Sequence, residues 1–210
     1  MIPVTSEMLC ALRKSVSELT SQERFGHVLS VEQTAKDMAR LYCPEKENIL
    51  CAAALLHDVT KELSLDEQLS IMQDRGAEPT ADLISAPATL HAVTAAMVIP
   101  EHYPEFADVE IIDAVRYHTT GRENMTLSEK IIYLADYIEP TRKYEGCIRL
   151  RELFFSVDFD KMSDAERIRH LDVVILKSLD GTLEHLREKG GFISPDTKKA
   201  REYLARKIKP

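Results

Sequence analysis

Six residues of this 210-residue chain could act together on a metal: His27, the adjacent pair His57 and Asp58, then His91, His118 and Asp136. Imidazole nitrogens and carboxylate oxygens suit a divalent transition metal in a roughly octahedral array. Iron, manganese, cobalt, nickel and zinc all accept such donors, so residue types alone leave the metal open. Neighbouring residues on a helix point about 100° apart, and an ion between those two directions meets both His57 and Asp58. His27 and Asp136 would close a set of four. His91 and His118 keep three roles: ligands of a second ion, with Asp58 spanning the pair, contacts to a substrate phosphate, or proton donors to a leaving oxygen. An ion held this way would acidify a water and polarise an attacked phosphate.

The local context agrees. His57 and Asp58 end the apolar run Cys51–Leu56, and Asp136 follows Ile131–Ala135. A carboxylate at the end of a buried stretch needs a partner, because an isolated buried charge is costly. A metal is one such partner; for Asp136 an arginine is another. Taken singly, His27 reads as a hydrogen-bonded or surface histidine and His91 as a polar residue opening a helix. His102, His170 and His185 have nothing convergent around them and are assigned structural or surface places.

The elements that must position these groups are helical. Met8, Leu9, Leu12, Val16 and Leu19 form one apolar stripe, and Val28, Val31, Ala35, Met38, Ala39 and Tyr42 another, both near period 3.6. Pro44 suits a helix start, and Glu45 to Asp58 is expected as a central helix. Ser64 with Glu67, Thr126 with Glu129, and Ser163 with Glu166 make three capping boxes. Ser194 and Pro195 open a last helix, and Gly190-Gly191 stops the long one before it. The stretches Gly76–Pro87 and Ile99–Pro104 are expected as connections. The fold class is all-α, an arrangement of about ten helices, with the six residues on five of them or at their ends. A single domain is expected over 1–210, with a metal core at 20–145 and a C-terminal helical part at 146–210.

Composition narrows the partners. The chain is 44% hydrophobic and 30% charged, with a net charge of −8, an ordinary globular balance. An acidic chain lacks the basic face that long nucleic acid requires, so no nucleic-acid partner is expected. The longest apolar run, Ile49–Leu56, is far short of the ~20 residues of a membrane span. Cys10, Cys43, Cys51 and Cys147 are scattered and no export signal precedes them, which reads as reduced thiols and a cytoplasmic location.

Several stretches are more specific than the His-Asp pair. They are R-F-G-H-V-L-S-V-E-Q-T-A (Arg24–Ala35), A-A-L-L-H-D-V-T-K (Ala53–Lys61), H-A-V-T-A (His91–Ala95), Y-H-T-T-G-R (Tyr117–Arg122), A-D-Y-I-E-P-T-R (Ala135–Arg142) and G-G-F-I-S-P-D-T (Gly190–Thr197). With them the chain resembles the YqeK family of HD proteins along nearly its whole length. The resemblance implies an HD-domain helical bundle with symmetrical bis(5′-nucleosyl)-tetraphosphatase activity. Such an enzyme cleaves diadenosine tetraphosphate at the central bridging oxygen, giving two ADP, and acts on related dinucleoside polyphosphates. It also implies iron on His27, His57, Asp58 and Asp136; whether one ion is held or two, the second at His91 and His118, stays open. It places phosphates against Lys61, His91, His118, Thr119 and Arg142, and gives catalytic parts to Asp58, Lys61 and Arg142. The segment Leu179–Leu183 is placed along the nucleoside pocket by the same resemblance. Self-association into a homodimer stays open.

Two other readings use the same residues. A nucleoside monophosphate phosphatase of the HD superfamily would share the metal set and differ in its phosphate pocket. A regulatory module would bind a nucleotide there without turning it over. Without the flanking stretches, Lys61 reads as a solvated lysine beside Glu62, Arg142 as a surface partner of Glu139 or Glu145, and Thr119 as a turn residue before Gly121.

Overall fold

Short polar side chains start most of the helices. Thr5, Ser21, Ser64, Thr80, Asp108, Thr126, Ser163 and Ser194 each accept a backbone N–H of the first turn that follows. At Ser64, Thr126 and Ser163 the reciprocal glutamate bond is also made, so all three expected capping boxes form. The structure, a computed structural model, describes residues 3–209, and holds eleven α-helices and no strand among them. In chain order these are α1 (Ser6–Leu19), α2 (Gln22–Tyr42), α3 (Glu47–Leu56), α4 (Leu65–Asp74), α5 (Ala81–Ser85), α6 (Leu90–His102), α7 (Val109–Tyr117), α8 (Leu127–Ile138), α9 (Glu145–Phe154), α10 (Asp164–Glu188) and α11 (Pro195–Ile208).

The core forms around α3. Every residue from Leu50 to Leu56 is buried, and α1, α2, α7 and α8 pack around it. A helix that is apolar on all faces can only sit inside others. The small side chains of Ala52, Ala53 and Ala54 let the surrounding helices come close. One contiguous apolar cluster runs from Leu9 in α1 to Leu204 in α11. A smaller one, Met72, Leu90 and Val93, fastens α4 onto α6 beside His91.

Three stretches differ from expectation, and the first, Gly76–Pro87, holds the short helix α5 started by the Thr80 cap. The central helix is shorter at both ends: Pro44–Lys46 is a 3-10 turn, and the α-helix stops at Leu56. After it, Val59 N–H bonds Leu56 O, Lys61 N–H bonds Asp58 O and Leu63 N–H bonds Thr60 O. These successive i to i−3 bonds wind the chain tighter than an α-helix. Asp58 and Lys61 therefore leave from a compact turn at the end of the core helix. The stretch expected as a loop at Ile99–Pro104 is instead mostly the last turn of α6, with Pro100 inside it. Proline costs that turn one backbone bond, and the Tyr103 N–H closes it on Ile99 O at 2.8 Å. No helix among the described residues is long and apolar enough to cross a membrane.

Candidate metal centre

Three histidines are held by their Nδ1 atoms. His57 Nδ1 lies 2.6 Å from Ala54 O and His118 Nδ1 2.7 Å from Val115 O, each three residues back. A carbonyl oxygen only accepts, so both rings carry their proton on Nδ1. His27, on α2, places Nδ1 3.1 Å from Oε1 of Glu139, at the end of α8. Each anchored ring is left with Nε2 facing the centre.

Two carboxylates meet those nitrogens. Asp136 Oδ1 is 3.0 Å from His27 Nε2 and 3.9 Å from His57 Nε2. Asp58 divides its oxygens. Oδ2 lies 3.4 Å from His57 Nε2 and 3.8 Å from His27 Nε2. Oδ1 lies 3.3 Å from His91 Nε2 and 3.7 Å from His118 Nε2. The four imidazoles stack edge to face, His27 on His57, His57 on His118 and His118 on His91. Five segments contribute: α2, the turn after α3, α6, the end of α7, and α8.

The donors fit a divalent ion. His27, His57 and Asp136 offer atoms within 4.8 Å of one another, and so do His57, Asp58 and His118. His27 Nε2 and His57 Nε2 are buried without a hydrogen-bond partner. Native structures leave few buried polar atoms unpaired. Two such nitrogens facing two carboxylates is the arrangement a transition metal satisfies.

Charge around the centre is strongly coupled. Burial disfavours a charged His27, but Asp136 and Glu139 outweigh it and raise its pKa to about 9. A metal on Nε2 would displace that proton. Burial would raise the Asp58 carboxyl, but the surrounding histidines pull it well below the usual range. Asp136 is also lowered, by His27 and Arg142 against burial. Burial drives His91 down to about 4. Glu139 is fully buried, and its bonds from His27, Ser30 and Thr141 overcome burial and lower it to about 2.

The expected phosphate-facing residues stand at the rim. Lys61 Nζ lies 3.2 Å from His91 Nδ1; burial lowers its pKa, with Arg24 and Arg142 opposing its charge. It does not pair with Glu62, whose carboxylate accepts from Ser21. Arg142 donates through Nη2 to Asp136 Oδ1 and through Nε to Asp136 O. Glu139 is 3.9 Å away from it, and Glu145 pairs with Arg149 instead. Thr119 Oγ1 lies 3.3 Å from His91 Nε2. Gly121 turns the chain just after it with φ +64°, its Cα so close to Ala200 that an added Cβ would sit 3.2 Å from the alanine Cβ. Leu179 and Leu183, by contrast, are buried in the packing of α10. They offer a nucleoside little surface. His102 and His185 are exposed, and His170 packs on Phe154 with Nε2 3.0 Å from its carbonyl.

Two residues at the centre were not singled out from sequence. Arg24 donates to Asp58 Oδ2 at 2.8 Å, and Glu139 anchors His27. Both carried a helical signal: Arg24 is three residues before His27 and Glu139 three after Asp136, so each shares a face with a metal-type donor.

A family model described as HD domain matches residues 24–141. A protein named symmetrical bis(5′-nucleosyl)-tetraphosphatase from Halalkalibacterium halodurans is 32% identical over 84% of this chain and 86% of its own length. One of the same name from Bacillus subtilis is 31% identical over 87% of this chain and 89% of its own. Among solved structures, one from Clostridium acetobutylicum aligns with a TM-score of 0.80 at 31% identity, covering 98% of this chain and 100% of that one. It is described as a predicted HD superfamily hydrolase involved in NAD metabolism.

Proposed function

This chain belongs to the HD domain family, and we propose that it hydrolyses diadenosine tetraphosphate and related dinucleoside polyphosphates to two nucleoside diphosphates. One observation carries the reading: two buried imidazole nitrogens without hydrogen-bond partners face two carboxylates, beside a rim of cations. Relatives of similar length named for that activity supply the substrate.

On this reading a divalent metal is held by His27, His57, Asp58 and Asp136, and iron is the ion we propose. When bound, it lowers the pKa of water and offsets charge on a phosphate oxygen. The chain itself does the positioning. Glu139, Ala54 O and Val115 O fix which nitrogen each histidine presents, as hydrogen bonds to the far nitrogen do in metal sites generally. Lys61 supplies a compact charge and Arg142 a planar fork for phosphate oxygens. Thr119 adds a hydroxyl beside His91. His91 and His118 serve Asp58 Oδ1 from the other side, as donors to a further ion or as phosphate contacts. The four free cysteines accord with the cytoplasmic setting we propose.

The decisive experiment supplies diadenosine tetraphosphate to the protein loaded with reduced iron and resolves the nucleotides by chromatography. ADP is expected as sole product, with turnover abolished by a chelator and restored by iron. AMP plus ATP would move the attacked phosphate, and phosphate release from AMP would favour a monophosphatase. ADP binding without turnover would leave a regulatory module.

Arg142→Ala is expected to slow turnover by about 10²–10³, the usual cost of removing one preorganised donor. Steady-state rates at saturating substrate check this. An unchanged rate and KM would confine Arg142 to its ion pair with Asp136.

A further inference from the structure

Each carboxylate of the centre carries a guanidinium on the oxygen turned toward His27 and His57. Arg24 Nη1 holds Asp58 Oδ2 at 2.8 Å, the oxygen nearest His57 Nε2 and His27 Nε2. Arg142 holds Asp136 Oδ1, the oxygen nearest the same two nitrogens. These are the oxygens a divalent ion would share with those imidazoles. A doubly charged ion attracts a carboxylate more strongly than a guanidinium at the same distance. Loading the site therefore loosens both arginines from the atoms they hold.

Arg24 is built to be reused. Its side chain is 26% exposed, close to the 32% of Arg142, so both stand between solvent and centre. Its Nε is buried without a partner, although an unpaired buried donor is unfavourable. Lys61 is near enough to both guanidiniums for each to oppose its charge. Three cations thus share one rim, and among them Arg24 alone has a buried nitrogen without a hydrogen-bond partner.

We propose that Arg24 is a phosphate-binding residue, whose guanidinium turns from Asp58 to the phosphate chain of the nucleotide once the metal is in place. The inference rests on the polyphosphate reading above. A tetraphosphate chain cut at its centre leaves two phosphates on each product. Two planar forks, one per carboxylate, provide two bidentate sites along such a chain, where a monophosphate needs one.

Calorimetric titrations separate this from a purely structural pair with Asp58. ADP is titrated into manganese-loaded protein, and manganese into metal-free protein, for wild type, Arg24→Ala and Arg24→Lys. ADP affinity is expected to fall about 10- to 100-fold in Arg24→Ala, the loss of a charged hydrogen-bonding group. Arg24→Lys should recover part of it, having the charge without the fork. Manganese affinity should hold or rise, because a competitor for Asp58 is gone. Unchanged ADP affinity in Arg24→Ala overturns the proposal. So does a fall in manganese affinity alone, which would make Arg24 a support for Asp58. Should Arg24→Ala not fold, Arg24→Gln keeps the stem and carries the same test. A wild-type protein that binds no ADP would instead sink the polyphosphate reading, and this inference with it.

Discussion

Asp58→Ala will lower turnover by more than about 10³-fold and leave the helical fold in place. The size follows from how much one side chain touches. Loss of a single preorganised donor costs about 10²–10³, and Asp58 faces both halves of the centre. Oδ2 meets His57 and His27, while Oδ1 meets His91 and His118. Among the described residues no other carboxylate is within 4.0 Å of the second pair. The fold survives because what packs α3 does not include Asp58. Leu50–Leu56 remain buried, and His57 and His118 keep their bonds to Ala54 O and Val115 O. Arg24 is freed but stands partly in solvent, where its charge is cheap. Rate, bound metal per chain and far-ultraviolet circular dichroism together decide. The expected result is lost turnover and lost metal with unchanged helicity. Near-normal turnover would remove Asp58 from the mechanism, and lost helicity would make it a folding residue.

Of the candidate donors, His57, Asp58 and Asp136 were legible from a local rule, and His27, His91 and His118 only from the order of the set and the flanking stretches. His57-Asp58 and Asp136 end apolar runs, and the capping boxes at Ser64, Thr126 and Ser163 mark the starts of three helices. What the sequence hid lies in the relations between helices. Glu139 looks like a surface acid one residue before a proline, yet it is buried because α2 brings His27, Ser30 and their charge and hydroxyl against it. Arg24 looks like an exposed helix residue until the turn after α3 brings Asp58 to it. Pro100 misled for a different reason. Its effect is a lost bond within one turn, and burial of Val98 and Ile99 outweighs that loss, so the helix continues. The break after Leu56 has no proline or glycine to announce it; a run of tighter bonds makes it, and so sets where Asp58 and Lys61 point.

Asp172→Ala will be the most destabilising single change outside the apolar core. Asp172 on α10 is buried between Lys130 of α8 and Lys207 of α11. Lys130 is itself buried, and burial pushes its pKa down while Asp172 supports its charge. Removing the acid leaves the lysine either charged without a partner or stripped of its proton. Breaking a buried pair from one side costs about 3–5 kcal/mol. For a chain of this size that is a fall in Tm of roughly 6–20 °C. Lys207 is 44% exposed and can turn to water, so Lys207→Ala should cost no more than about 1 kcal/mol. The double change Lys130→Met with Asp172→Leu should recover most of the loss, because neither desolvation cost then remains. Thermal unfolding of the four proteins tests the whole pattern. A small effect of Asp172→Ala, or a double variant no better than the single, would show that Lys130 reaches solvent on its own. The pair matters to the centre because Lys130 and Asp136 share α8, six residues apart. An anchor that fixes the start of that helix on α10 and α11 also fixes where its far end delivers Asp136 to His27.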